Sequence, residues 1–128
     1  RLMCVEHLMH TGDQRPLVDA ATPMADVMAE MSAKGLGMTC VVDEGGRLAG
    51  VITDGDLRRL IEQGTDFSKT PISDVMRKNP RRVGPEQLAV DAVELMEAHR
   101  INQVLVAELD GKLVGALHIH DLTRAKVI

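Results

Sequence analysis

The chain repeats itself. Gly50-Val51-Ile52-Thr53-Asp54-Gly55-Asp56-Leu57 and Gly115-Ala116-Leu117-His118-Ile119-His120-Asp121-Leu122 share one layout, 65 residues apart. The same spacing aligns Met31 with Met96, Leu36 with Ile101, Val41 with Val106, Leu48 with Leu113 and Arg59 with Arg124. An internal repeat constrains architecture more than any single motif, because each copy must fold as the same unit. Two copies in 128 residues make a duplicated unit and not a long solenoid. A lone half of this size is marginal, so the halves are expected to pack through their sheets.

Within each copy the hydrophobic periods spell the same order. Leu17-Val18 and Arg82-Val83 are candidate short strands. Met24, Val27, Met28 and Met31 fall on one helical face, opened by Thr22 as N-cap with Pro23 at the first helical position, and stopped by Gly35. Leu88, Ala92, Leu95 and Met96 make the comparable face in the second copy. Residues 38–42 and 48–53 are a strand pair around the turn Asp43-Glu44-Gly45-Gly46; residues 104–107 and 113–117 repeat it around Asp110-Gly111. Helices follow from Asp56 and from Asp121. Short leading helices are expected at residues 2–9 and 72–76. The polar stretch 64–71 joins the copies, placing one half at residues 1–66 and the other at 67–128. The fold class is α+β, each half helix–strand–helix–strand–strand–helix.

Composition narrows the function. Phe67 is the only aromatic, so the core is Val, Leu, Ile and Met. A single-stranded nucleic-acid platform uses aromatic rings, and the net charge of −4 disfavours both nucleic acid and anionic membrane. Cys4 and Cys40 have no metal-ligand spacing, Cys40 reads as a small buried hydrophobe, and nothing suggests a disulfide framework; a reducing cytoplasm is the default location. No apolar run has transmembrane length. The start at Arg1, without an initiator Met, points to a piece of a longer protein whose catalytic part lies elsewhere.

The chemistry concentrates where a strand turns into a helix. A helix start leaves N–H groups unpaired and carries a partial positive charge, which suits an anion. Thr53 adds a hydroxyl, and Asp56 a carboxylate able to accept from a vicinal diol such as a ribose. Arg58, Arg59 and Arg124 are expected in first helical turns, where a cation is disfavoured unless it meets an anion or a partner. The bland alternative is a capped helix with Thr53 or Asp54 as N-cap and the arginines in solvent. Residues 77–82 (Arg-Lys-Asn-Pro-Arg-Arg) are either a solvated loop or a phosphate-facing cluster. Lys34, His7 and His99 are explained by helix ends and surfaces. His118 and His120 suggest a metal pair, since alternate residues of a strand face one way, but the further ligands are missing and a ligand cleft is favoured. No pair of residues has a nucleophile-and-base layout.

The doubled β-α-β-β-α order, closed by Gly50-x-x-Thr53-x-x-Asp56, resembles a tandem pair of CBS domains, a Bateman module, over nearly the whole chain. Four strings are similar to the C-terminal CBS pair of arabinose 5-phosphate isomerases: His10-Thr11-Gly12-Asp13, Gly37-Met38-Thr39, Thr53-Asp54-Gly55-Asp56-Leu57-Arg58-Arg59 and His118-Ile119-His120-Asp121-Leu122. The resemblance implies a non-catalytic regulatory module, a sugar isomerase domain outside this chain, and a homodimer. It implies one cleft with Thr53, Asp54 and Asp56 facing residues 79–83 and Asn102-Gln103. A second would set His118, His120 and Asp121 against His10, Thr11, Gly12, Asp13 and Gly37, Met38, Thr39. Family clefts take adenine nucleotides, Asp on the ribose and Thr or Ser on phosphate. His118 departs from that pattern. The isomerase starts the route to Kdo, an acidic sugar of lipopolysaccharide, so the nucleotide sugar CMP-Kdo is the ligand expected at the second cleft. AMP or ATP sensing is the alternative, and a ligand-free dimerisation module another.

Overall fold

The computed structural model describes residues 2–128. Two compact units emerge: Pro16–Pro80, and Arg81–Ile128 joined by the residues up to Arg15. These spatial units are not the sequence repeats themselves. The lead-in segment of each copy is folded into the unit that holds the other copy's sheet.

In the unit Pro16–Pro80, β1 (Leu17–Asp19), α1 (Met24–Lys34), β2 (Met38–Val42), β3 (Leu48–Thr53) and α2 (Asp54–Glu62) follow the expected order. The short helix α3 (Ile72–Val75) and the two-residue strand β4 (Arg77–Lys78) complete it. The sheet runs β1-β2-β3-β4; β1 is parallel to β2 and the other pairings are antiparallel. Cys40 pairs with Val51, and Val51 with Arg77. Residues 77 and 78 are therefore an edge strand and not the loop the charges suggest.

The other unit repeats the plan with β5 (Arg82–Val83), α4 (Ala89–His99), β6 (Gln103–Ala107), β7 (Leu113–His118) and α5 (Ile119–Arg124), its sheet ordered β5-β6-β7. Each hairpin carries its register shift at the same place, between Val41 and Val42 and between Val106 and Ala107. Where β3 has β4 on its outer edge, β7 has a single bridge from His10 to Ala116.

Each unit has its own core. Val27, Val41 and Ile52 are fully buried in one; Val5, Val106, Leu117 and Leu122 in the other. Each such side chain contributes about 1.5–3 kcal/mol of burial. The methionine face of α1 is core as the spacing indicates, with Met24, Val27 and Met31 buried. On α4 the buried face is Ala89, Ala92, Val93 and Met96, while Leu88 serves as N-cap.

Some boundaries differ from the sequence-based expectation because backbone or side-chain polar groups find other partners. Pro23 and not Thr22 is the N-cap of α1; the Thr22 hydroxyl donates to Asp19 Oδ1 at 3.1 Å. Residues 2–9 form only the 3-10 turn Val5–His7, since Met3 to Glu6 spend their backbone groups on residues 85–89: Val5 N–H donates to Gln87 O at 2.8 Å and Ala89 N–H to Met3 O at 2.7 Å. Helices α2 and α5 start two residues early, at Asp54 and Ile119.

Candidate functional site: two strand-to-helix junctions

The early helix starts follow from a capping box. Thr53 ends β3 and is the N-cap of α2: its hydroxyl accepts from Asp56 N–H at 3.2 Å, while Asp56 Oδ2 accepts from Thr53 N–H at 3.0 Å. His118 ends β7 in the same role. Its N–H donates to Asp121 Oδ2 at 2.8 Å, and its Nδ1 accepts from His120 N–H at 3.1 Å. An imidazole does here what a hydroxyl does in the other copy.

The box consumes one oxygen of each aspartate and leaves the other for cations. Asp56 Oδ1 takes Arg77 Nε at 2.9 Å, Arg77 Nη2 at 2.8 Å and Arg59 Nη2. Asp121 Oδ1 takes His10 Nε2 at 3.0 Å and Arg124 Nη2 at 3.1 Å. Both aspartates are buried, at 5% and 8% exposure. The arginines that reach them are exposed: 54% for Arg59, 60% for Arg77 and 74% for Arg124. Inner oxygens are bonded to backbone N–H groups; outer oxygens are held by side chains alone.

Charge follows the geometry. Burial works against the Asp56 carboxylate, but hydrogen bonds from Thr53 and Arg77, with the Arg77 charge, outweigh it and hold its pKa below the usual value. Burial lowers the His118 pKa, His120, His10 and Arg124 push the same way, and Asp121 opposes them. His118 is thus a neutral acceptor at Nδ1 with its Nε2–H left to donate, and His120 stacks on it with ring centroids 4.5 Å apart. His120 lies in α5 and not on a strand, so the two rings do not point side by side at one ion. Among the described residues, no group of three His, Cys, Asp or Glu side chains is placed to hold a metal, and no helix is long and apolar enough to cross a membrane.

The expectation that the arginines strain a first helical turn is overturned. With α2 starting at Asp54 and α5 at Ile119, Arg58 falls beyond the first turn, while Arg59 and Arg124 lie in the last turns, where the dipole favours cations. Arg59 and Arg124 serve the aspartates, while Arg58 is exposed and makes no hydrogen bond or ion pair among the described residues.

The remaining expected site residues are each described within their own unit. Of the loop at 10–13, His10 alone reaches Asp121; Thr11, Gly12 and Asp13 are exposed around a 3-10 turn at Gly12–Gln14. Met38 and Thr39 are buried in β2, and the Thr39 hydroxyl has no hydrogen-bond partner among the described residues, so neither side chain is offered at the surface. Gly37 adjoins Asp54, whose N–H donates to the Gly37 carbonyl at 3.0 Å. A Cβ at Gly37 would come within 3.3 Å of Asp54 Oδ2, and φ there is +71°. These two line a hollow of about 320 Å³ with Met28, Met31, Ser32, Gly35 and Leu57. The repeat offset puts Glu97, Arg100, Asn102 and Ile119 where Ser32, Gly35, Gly37 and Asp54 stand. Arg77 was not singled out by sequence as an aspartate partner. Its signal is the string Met76-Arg77, which matches Met9-His10.

Two matches to a family model, at residues 5–63 and 72–128, cover most of the chain and carry the description CBS domain. The chain belongs to the CBS domain family. It is 44% identical over 127 residues to arabinose 5-phosphate isomerase KdsD of Pseudomonas aeruginosa and 45% identical to KdsD of Salmonella typhi. Both alignments cover 99% of this chain but only 39% and 38% of those proteins, so the chain spans about two-fifths of the length of these curated relatives. Among solved structures, the CBS pair protein CBSX2 of Arabidopsis thaliana in complex with AMP superposes with a TM-score of 0.84 at 25% identity, over 97% of this chain and 96% of that one. The CBS pair of protein MJ0100, in complex with 5′-methylthioadenosine and S-adenosyl-L-methionine, superposes with a TM-score of 0.84 at 18% identity, over 99% and 98% of the two chains. The capping boxes of Thr53 and His118 thus lie in the closing parts of the two matched CBS repeats.

Proposed function

We propose that this CBS pair is the ligand-sensing regulatory module of an arabinose 5-phosphate isomerase in the route to Kdo, and that a nucleotide or nucleotide sugar binds at its strand-to-helix junctions. The module works as a homodimer tethered to a sugar isomerase domain and does no chemistry itself. One observation carries the reading: each buried aspartate keeps one oxygen on the backbone and holds the other against exposed arginines. A ribose diol takes over the outer oxygen and the released arginine meets the phosphate, so the carboxylate stays hydrogen-bonded and the guanidinium stays paired with an anion. The AMP complex of CBSX2 supports the nucleotide class. The His118 junction, with three histidines nearby, favours a ligand with more than one acidic group. CMP-Kdo supplies a ribose diol, a phosphate and a carboxylate, and is the ligand we assign there.

Titration calorimetry of the protein with CMP-Kdo, AMP and ATP tests this. CMP-Kdo binding that Asp121→Asn abolishes and Asp56→Asn leaves intact is the expected result. Heat from AMP or ATP alone replaces the ligand with an adenine nucleotide. No heat from any of the three, with folded protein, leaves a structural dimerisation module and overturns the proposal.

A further inference from the structure

Equivalent positions in the two junctions carry different cations. Met9 and Met76 each lie against a strand glycine, Gly115 and Gly50, so closely that a Cβ there would meet the methionine sulfur at 2.5 and 2.6 Å. The next residue in each case, His10 or Arg77, reaches the aspartate's outer oxygen. His10 and Arg77 are therefore counterparts, although the loop after His10 is two residues longer. A guanidinium is charged at every working pH, whereas an imidazole gains or loses its charge between about pH 5 and 8.

We propose that Arg77 and His10 are guard residues: each occupies the carboxylate oxygen that a sugar hydroxyl needs, and His10 makes access to Asp121 depend on protons while access to Asp56 does not. This rests on the assignment of the two aspartates as hydroxyl readers. Geometry at His10 supports it. Nε2 faces Asp121 Oδ1 at 3.0 Å and Nδ1 faces Gln14 Oε1 at 3.2 Å. The Nε2 contact with the Asp121 carboxylate is an ion pair only when the ring carries a proton on both nitrogens, and a plain hydrogen bond otherwise. The charged and titratable groups around the ring are Asp121 and Arg124 of α5 and, at the end of β7, His118 with His120 stacked on it. A charge-assisted hydrogen bond is about twice as strong as a neutral one. The protonated guard thus holds Asp121 against an uncharged diol, and the neutral guard yields.

Nucleosides isolate the effect, because they carry the diol without a phosphate that would itself attract the released guard. The protein labelled with ¹⁵N is titrated with adenosine and with cytidine at about pH 5.5 and about pH 7.5, with the amides of Asp56 and Asp121 reporting each junction separately. The dissociation constant at the Asp121 junction is expected to be about fivefold lower at the higher pH, and that at Asp56 unchanged. His10→Arg removes the pH dependence at Asp121, and Arg77→His introduces one at Asp56. Fold is checked in each variant by its amide spectrum. Equal pH response in wild type and His10→Arg overturns the guard role alone. Absence of nucleoside binding at both junctions, even in His10→Ala and Arg77→Ala, overturns the hydroxyl-reading role as well.

Discussion

Gly115→Ala is the substitution whose cost the structure sets most directly. Gly115 needs no special backbone angle; it is small because the segment carrying His10 lies across it. A Cβ there would sit 2.5 Å from Met9 Sδ and 2.8 Å from the His10 carbonyl oxygen. The thioether can turn away. The carbonyl cannot, since it accepts from Ala116 N–H at 3.1 Å while His10 N–H donates back to Ala116 O at 2.8 Å. The segment must move outward, at roughly 1–3 kcal/mol for overpacking plus about 1 kcal/mol for a weakened hydrogen bond. We expect a loss of about 3 kcal/mol, which for a chain of this length lowers Tm by about 10 °C. Gly45→Ala is the control: its Cβ meets the far end of the Arg47 side chain at 2.7 Å, which can move, so the change stays within about 0.5 kcal/mol. Thermal and urea melts followed by circular dichroism read both. A Gly115→Ala protein melting within a degree or two of wild type would refute the close approach and with it the placement of His10.

Three further outcomes follow from the junctions. Thr53→Ala removes the N-cap of α2 and should cost about 1 kcal/mol in urea melts, while Thr53→Ser should cost little. Asp56 holds its proton less tightly folded than unfolded, so its stabilisation is present above the unfolded pKa of 3.8 and lost as pH falls through the lower folded value; urea midpoints across that acid window should vary less steeply in Asp56→Asn. His118 has the same sign: its folded pKa lies below 6.5, so stability is complete above that pH and declines as pH drops toward the folded value. His118→Thr should flatten this slope and leave the acid limb near pH 3.8 in place.

Much of this was legible before any coordinates. The 65-residue spacing predicts two β-α-β-β-α units, and the strands Met38–Val42 and Leu48–Thr53 stand where the apolar runs and the Asp43–Gly46 turn put them. Thr53 meets Asp56, and His118 meets Asp121, at equivalent strand ends because repeat register carries position as well as type. What sequence did not show is which neighbour answers each carboxylate. Arg77 lies 21 residues from Asp56, and His10 lies 111 from Asp121. Those contacts depend on lead-in segments that leave their own repeat and fold with the other copy's sheet. The helix starts were displaced for a local reason: a reciprocal box between Thr53 and Asp56 extends the helix backward by two residues, turning apparently misplaced arginines into well-placed ones. Thr39 looked like part of a ligand loop, but strand pairing carries it into the interior.

A crystal structure of the protein grown with CMP-Kdo, and a second with AMP, tests the central claim most directly. The account predicts a sugar hydroxyl within hydrogen-bond distance of the outer oxygen of Asp121 or Asp56, with Arg124 or Arg77 turned from the carboxylate to the phosphate. A bound ligand that leaves both aspartates in their present ion pairs, with its sugar elsewhere, would contradict it.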